Sequence, residues 1–186
     1  MSRYVSCKHK QEFNEHPFTW ECQTAVAVSG AMELLAQHGA IVSPDYGQFG
    51  LRDAWCDAGD DGESYRDAQD QVAGASTYQL IVRTPSDPLR VGLELRIWAG
   101  EPEPDSGSWD GCRQLELHCP TGELLVDQLT AGAAAEIVLP QGAGVYGVRV
   151  HRSGRDDSQR FLVDLWWQTP LPPADDDEDF YGDLWS

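Results

Sequence analysis

Cys7, His9, His16 and Cys22 place soft and borderline metal ligands within one short N-terminal stretch. Zinc sites are usually built from tight cysteine or histidine pairs, because two neighbouring ligands fix half of a tetrahedron at once. Here the spacings are irregular and no second pair follows. A metal-dependent enzyme using this cluster is therefore an alternative reading and not the leading one. The acidic run Asp57-Ala-Gly-Asp-Asp-Gly-Glu63 suggests calcium but fails the EF-hand pattern. A loop starting at Asp57 needs an oxygen ligand at 59, where Gly59 stands, and a bidentate glutamate at 68, where Ala68 stands. Nucleophilic and phosphate chemistry have no signature either, since G-x-S-x-G, a phosphate-cradling glycine loop and H-E-x-x-H are all missing from the sequence. The histidines at 9, 16, 38, 118 and 151 show no ordered relation to a serine or cysteine. His118 and His151 fall in predicted strands and read as sheet-face residues. These patterns predict no catalysis and no cofactor.

Recognition is the chemistry that the sequence does favour. Carboxylates cluster in three places, the last two beside large aromatic residues: Asp57, Asp60, Asp61 and Glu63; Glu101, Glu103 and Asp105 with Trp109; and Asp175, Asp176, Asp177, Glu178 and Asp179 with Phe180 and Trp185. Acids attract from a distance, and buried aromatics supply most of the energy at an interface. The formal net charge is -18. A nucleic acid or an anionic membrane would repel such a chain, so neither is an expected direct partner. A basic protein such as a nuclease or a toxin is the expected one. A DNA mimic that disables a nucleic-acid-binding defence complex is the alternative within the same chemistry. Like charges in a block solvate well and repel one another, so residues 171–186 are predicted to form a disordered tail.

These side chains need a scaffold, and the pattern of residues 41–170 is β. Arg90-Val-Gly-Leu-Glu-Leu-Arg-Ile-Trp alternates, with Val91, Leu93, Leu95 and Ile97 on one face. Leu115 and Leu117 repeat the alternation, as do Phe161, Val163, Leu165 and Trp167 opposite Leu162, Asp164 and Trp166. Runs near 78–84, 123–127, 135–139 and 145–150 complete a set separated by Pro and Gly turns. Short strands at regular spacing, each with one apolar face, predict an all-β chain folded as an antiparallel β-sandwich of about seven to nine strands. Residues 42–53 read as a further strand. Residues 25–37 read as a helix or as a strand followed by a helix, within an N-terminal extension covering 1–40. Residues 57–70 and 101–109 read as acidic surface loops, the first with one helical turn. Cys112 and Cys119 flank a predicted strand at an odd separation, on opposite faces and too far apart for a disulfide. The N-terminus lacks the apolar run of a secretory signal, so reduced cysteines in a cytoplasm are expected.

Three segments carry a resemblance. Ser43-Pro-Asp-Tyr-Gly-Gln-Phe-Gly-Leu-Arg-Asp53, Leu139-Pro-Gln-Gly-Ala-Gly-Val-Tyr-Gly-Val-Arg-Val150 and Arg160-Phe-Leu-Val-Asp-Leu-Trp166 together span about residues 41–168. With Tyr46, Gln48 and Phe49 in the first strand, this stretch resembles the competence-associated nuclease inhibitors of the ComJ or Nin type. The resemblance implies a compact β protein that inhibits a cognate nuclease. It implies no particular inhibitory residues.

Overall fold

In the computed structural model, residues 32–55, 62–86 and 88–171 are described. Their strands are β1 (Leu34–Val42), β2 (Gln48–Asp53), β3 (Ala73–Ala75), β4 (Gln79–Arg83), β5 (Val91–Trp98), β6 (Gly111–Cys119), β7 (Glu123–Gln128), β8 (Gly132–Val138), β9 (Gly144–Ser153) and β10 (Arg160–Pro170). One short helix, α1 (Glu63–Asp67), is the helical turn expected in the first acidic loop. The strands form two five-stranded sheets, ordered β1-β5-β10-β9-β6 and β3-β4-β2-β7-β8. This is the predicted sandwich, with one feature that alternation cannot reveal: β10 runs parallel to β5 while pairing antiparallel with β9.

The periodic faces meet between the sheets. Leu93, Leu95 and Ile97 of β5, Phe161, Val163 and Leu165 of β10, and Val148 and Val150 of β9 are buried against Phe49, Leu51, Leu80, Val82, Leu124 and Val126 of the second sheet. Phe49 and Phe161 meet edge to face at 5.3 Å across the two layers, the arrangement that the ring quadrupoles favour. Tyr146 is fully buried, and its hydroxyl donates a 2.7 Å hydrogen bond to the Gly142 carbonyl, which satisfies the one polar atom of the ring. Cys112, partly buried, and Cys119, buried, lie on β6 and are not joined in a disulfide.

Two local outcomes differ from the sequence pattern. Leu34–Val42 is a strand throughout and pairs with β5 from Leu34 to Val42, so the predicted helical reading gives way there. The cause is tertiary: Ala36, Ala40 and Val42 pack on the core, and that burial outweighs the helix propensity of the Leu and Ala residues. Residues 42–53 are not one strand. Asp45 and Gln48 exchange backbone hydrogen bonds of 2.9 and 3.2 Å around Tyr46-Gly47, closing a two-residue hairpin. Tyr46 (φ 53°) and Gly47 (φ 70°) both take the left-handed conformation that this turn needs to match strand twist. Of the expected N-terminal extension, residues 1–31 lie outside the described residues.

Candidate interaction site

Across the outer face of the first sheet, register sets the polar residues in rows. Asp164 of β10 pairs with Arg96 of β5 on one side and Arg149 of β9 on the other, and Arg149 in turn pairs with Gln114 of β6. The adjoining row runs Gly39, Glu94, Leu162, His151, Cys112. Strand alternation fixes this grouping, because each of these residues occupies the position opposite a core residue.

The segment between β5 and β6, residues 99–110, lies over these rows. Asp164, with no exposed surface, accepts bonds from Arg96 Nε (2.8 Å), Arg96 Nη2 (3.1 Å) and the Trp98 indole (2.8 Å). The same Arg96 holds Asp105 at 3.2 Å, and Asp105 accepts the Trp109 indole at 3.0 Å and the Gly107 amide at 2.8 Å. Arg149, itself 3% exposed, donates to the Pro102 carbonyl at 3.1 Å and to Glu101 at 2.8 Å. Burial pushes the Asp105 carboxyl up, but the Gly107, Trp109 and Arg96 donors outweigh it and hold it below the usual range. Burial opposes the charge on Arg96 as well, and its two carboxylate partners more than compensate. The loop is thus fastened by ion pairs whose members are themselves covered by it.

His151 completes the cluster without joining its hydrogen bonds. It is 2% exposed, lies under the Trp109 ring at 5.1 Å, and neither ring nitrogen has a hydrogen-bond partner. Nε2 stands 3.7 Å from Asp164. Burial depresses its pKa, and Arg149 and Arg96 push the same way, against the attraction of Asp164 and Asp105. The ring is accordingly neutral near pH 7. Trp109 also carries the Arg160 guanidinium on its face at 5.2 Å.

Beside Trp109 the outer face is open. A groove of about 470 Å³ runs between β1, β5 and β10, walled by Trp109 and Arg160 and floored by Gly39, Gly92 and Leu162. Ile41, 64% exposed, forms its rim. Elsewhere on this sheet the chain covers its own glycines, with the Trp166 ring where a Gly147 Cβ would project and the Trp167 ring at Gly144. Nothing lies within 4 Å of the corresponding positions of Gly39 and Gly92.

The sequence-derived site residues are thus divided. Glu101, Asp105 and Trp109 come together in one fastened loop, with exposed Glu103 between them. Glu63 is exposed on α1, which packs on the second sheet against β3 and β4. Asp57, Asp60, Asp61, the acids 175–179, Phe180 and Trp185 lie outside the described residues, as do Cys7, His9, His16 and Cys22. Trp166, on the face of β10 opposite Phe161, Val163 and Leu165, is buried at 3% exposure, with the Arg149 guanidinium on its ring at 5.1 Å. Sequence reasoning missed Arg96 and Arg149 altogether. The available signal was charge at the outward positions of three strands, Arg96, Arg149 and Asp164, each flanked by core residues. Among the described residues, no group of three or more His, Cys, Asp or Glu is placed to hold a metal, and no helix is long and apolar enough to cross a membrane.

No protein-family model matches the sequence, and no curated protein matches it. Solved structures do match its fold. One is ComJ from Bacillus subtilis, inhibitor of the DNA-degrading activity of NucA, at TM-score 0.53 and 11% identity, covering 75% of this chain and 100% of that one. The fold resembles ComJ. The product of crocagin biosynthetic gene J is also similar, at TM-score 0.51 and 13% identity over 72% of this chain and 99% of that one. At these identities the likeness to ComJ is one of fold, a distant relationship that covers the whole of the ComJ chain.

Proposed function

We propose that this protein is a non-enzymatic inhibitor of the ComJ or Nin type, which binds a basic nuclease and blocks its access to nucleic acid. The observation that carries this reading is the loop 99–110. It presents Glu101, Glu103 and Trp109 on a rigid base while the ionisable groups beneath it are spent on one another. Asp164, the one fully buried carboxylate of the cluster, is saturated by three donor atoms and is not free to act as a base. A nuclease cleft must hold phosphates and is therefore cationic, so carboxylates on a firm scaffold suit it. The ComJ-like fold supports the same reading. A net charge of -18 would speed encounter with such a partner by about 10–1000-fold at low salt.

The test is DNA degradation by purified basic nucleases of the source organism, with full-length protein titrated in at low and high ionic strength. Stoichiometric inhibition with an association rate that falls as salt rises is expected. Unimpeded degradation at every ratio, with no complex at low salt, would remove the proposal.

A further inference from the structure

The two lateral sides of the sandwich are finished differently. On the β6 and β3 side the edge is occupied. The Arg113 guanidinium reaches the carbonyls of Asp67 (2.7 Å) and Ala73 and the Asp67 carboxylate (2.8 Å), tying β6 to α1 and β3. The His118 amide on β6 donates to the Thr77 carbonyl at 2.8 Å. On the other side β1 and β8 are the terminal strands of their sheets among the described residues, and they are neighbours across the two layers.

Edge strands of stable monomers are usually guarded by charge, proline, bulges or a covering element, because their unpaired amides and carbonyls invite another strand. β1 reads Leu-Leu-Ala-Gln-His-Gly-Ala-Ile-Val, with no charged residue and no proline, in a chain that is 24% charged. Its one irregularity of register is at Leu34–Ala36, away from Gly39. The groove described above opens beside this edge. A strand laid along β1 would set one of its outward side chains next to Gly39, and with no Cβ there that side chain can lean across Gly39 and Gly92 towards Trp109. Aromatic rings commonly cover edge glycines in this way, as Trp166 covers Gly147 within this sheet.

The geometry points to β1 as the receiving edge for an extended segment of the protein partner, adding a sixth strand to the first sheet and placing an aromatic side chain in the Gly39–Gly92 slot. This deepens the inhibitor reading by assigning its contact surface. Charge selects the occupant. A second copy of this chain also carries -18, so pairing of two β1 edges meets mutual repulsion, whereas a cationic segment is drawn in. Of the two charged residues lining the groove, exposed Glu94 favours the same sign, while the Arg160 guanidinium is engaged on the Trp109 ring and by the Ser153 hydroxyl. In strand addition, backbone bonds supply affinity and alternate side chains supply specificity.

The probe is a synthetic peptide, Lys-Phe-Lys-Val-Lys-Phe-Lys, added to the full-length chain. Calorimetry would read binding, and hydrogen exchange would locate it. Binding with new protection of β1 amides is the expected result. Gly39→Phe fills the slot from within at a position where an added Cβ meets nothing, and Ile41→Lys guards the rim. Each should weaken binding by about tenfold or more, the loss typical of a central anchor. Val138→Lys on exposed β8 should leave it unchanged. Equal binding of a peptide with a central proline, or of one with Asp in place of Lys, would overturn the proposal. So would full protection of all β1 amides before any peptide is added, which would mean that residues 1–31 or a second copy cover the edge. Nuclease inhibition that survives both Gly39→Phe and Ile41→Lys would overturn this surface and leave the inhibitor reading standing. Peptide capture by a chain that inhibits no nuclease would do the reverse.

Discussion

At the residue scale the informative positions are Asp164 and His151, both buried and both on the outward face of a strand. Asp164 is met in the interior by the Arg96 guanidinium and the Trp98 indole. Replacing it with Ala leaves the Trp98 indole N–H unmet and Arg96 with Asp105 as its one carboxylate partner, and breaking a buried pair costs about 3–5 kcal/mol. Urea denaturation of Asp164→Ala should show a loss of that order. The double variant Arg96→Met, Asp164→Leu should recover part of it, because the buried pair is removed as a unit while Asp105 keeps its Trp109 and Gly107 donors. His151 has the opposite problem, since nothing bonds its nitrogens and burial holds its pKa below the ordinary value. The unfolded chain therefore takes up the proton first. The stability gained by keeping the ring neutral is present above pH about 6.5 and is lost as pH falls through the folded-state pKa. A wild-type stability curve should slope by at most about 1.4 kcal/mol per pH unit in that window, and His151→Phe should flatten it there. The depressed carboxyls of Asp105 and Asp67 act in a separate window, below the ordinary carboxylate range. A wild-type curve that is flat between pH 6.5 and 5 would contradict the burial of a neutral imidazole.

At the scale of elements, the loop 99–110 is bonded to the sheet through Asp105 and Arg96 towards one end and through Arg149 to Glu101 and Pro102 towards the other. Asp105→Ala removes acceptors for Arg96, the Trp109 indole and the Gly107 amide together. Hydrogen exchange in residues 104–110 should rise while the strands keep their protection, and stability should drop by about 1–3 kcal/mol, the cost of leaving partly buried donors unmet. Unchanged exchange in the loop would mean that packing and the Arg149 bonds to Glu101 and Pro102 hold it without Asp105. Strand alternation made the scaffold readable: Leu93, Leu95 and Ile97, or Phe161, Val163 and Leu165, announce their buried face directly. The helical turn within 57–70 and the acidic loop at 101–109 were equally legible, because Gly and acid content exclude them from a core. Alternation did not reveal that the opposite face is buried too. Polar residues at outward positions normally signal solvent, and only the loop folded over Arg96, Arg149 and Asp164 reverses that meaning. β1 was obscured for another reason: Leu34, Leu35 and Ala36 suit a helix, and their strand depends on β5. Parallel pairing of β10 with β5 joins segments far apart in sequence, which local pattern does not record.

At the scale of the whole molecule, charge is unevenly used. The cations of residues 32–171 are all arginines, with lysine confined to Lys8 and Lys10. Arg52, Arg96, Arg113 and Arg149 are engaged with Asp127, Asp105 and Asp164, Asp67, and Glu101. A planar fork of donors suits such fixed pairs better than a lysine point charge. These pairs cancel charge inside the fold, so the field felt at a distance comes from the unpaired surplus of acids, with the sequence block 175–179 as its densest part. Deleting residues 174–186 removes Asp175, Asp176, Asp177, Glu178, Asp179 and Asp183 and none of the core residues found among the described residues. Urea stability should therefore stay within about 0.5 kcal/mol of the full chain, as for surface changes generally. Association with a basic partner should slow, and its dependence on ionic strength should flatten, because screening acts over about 8 Å at physiological salt and has less charge left to screen. The proposed anchors on the fold, Trp109 and the slot beside β1, would act at contact range and govern dissociation more than encounter. The same truncation should thus change the association rate more than the dissociation rate, as measured by surface plasmon resonance across a salt series. An association rate and salt slope identical to those of the full chain would place the recognition charge on the sandwich itself.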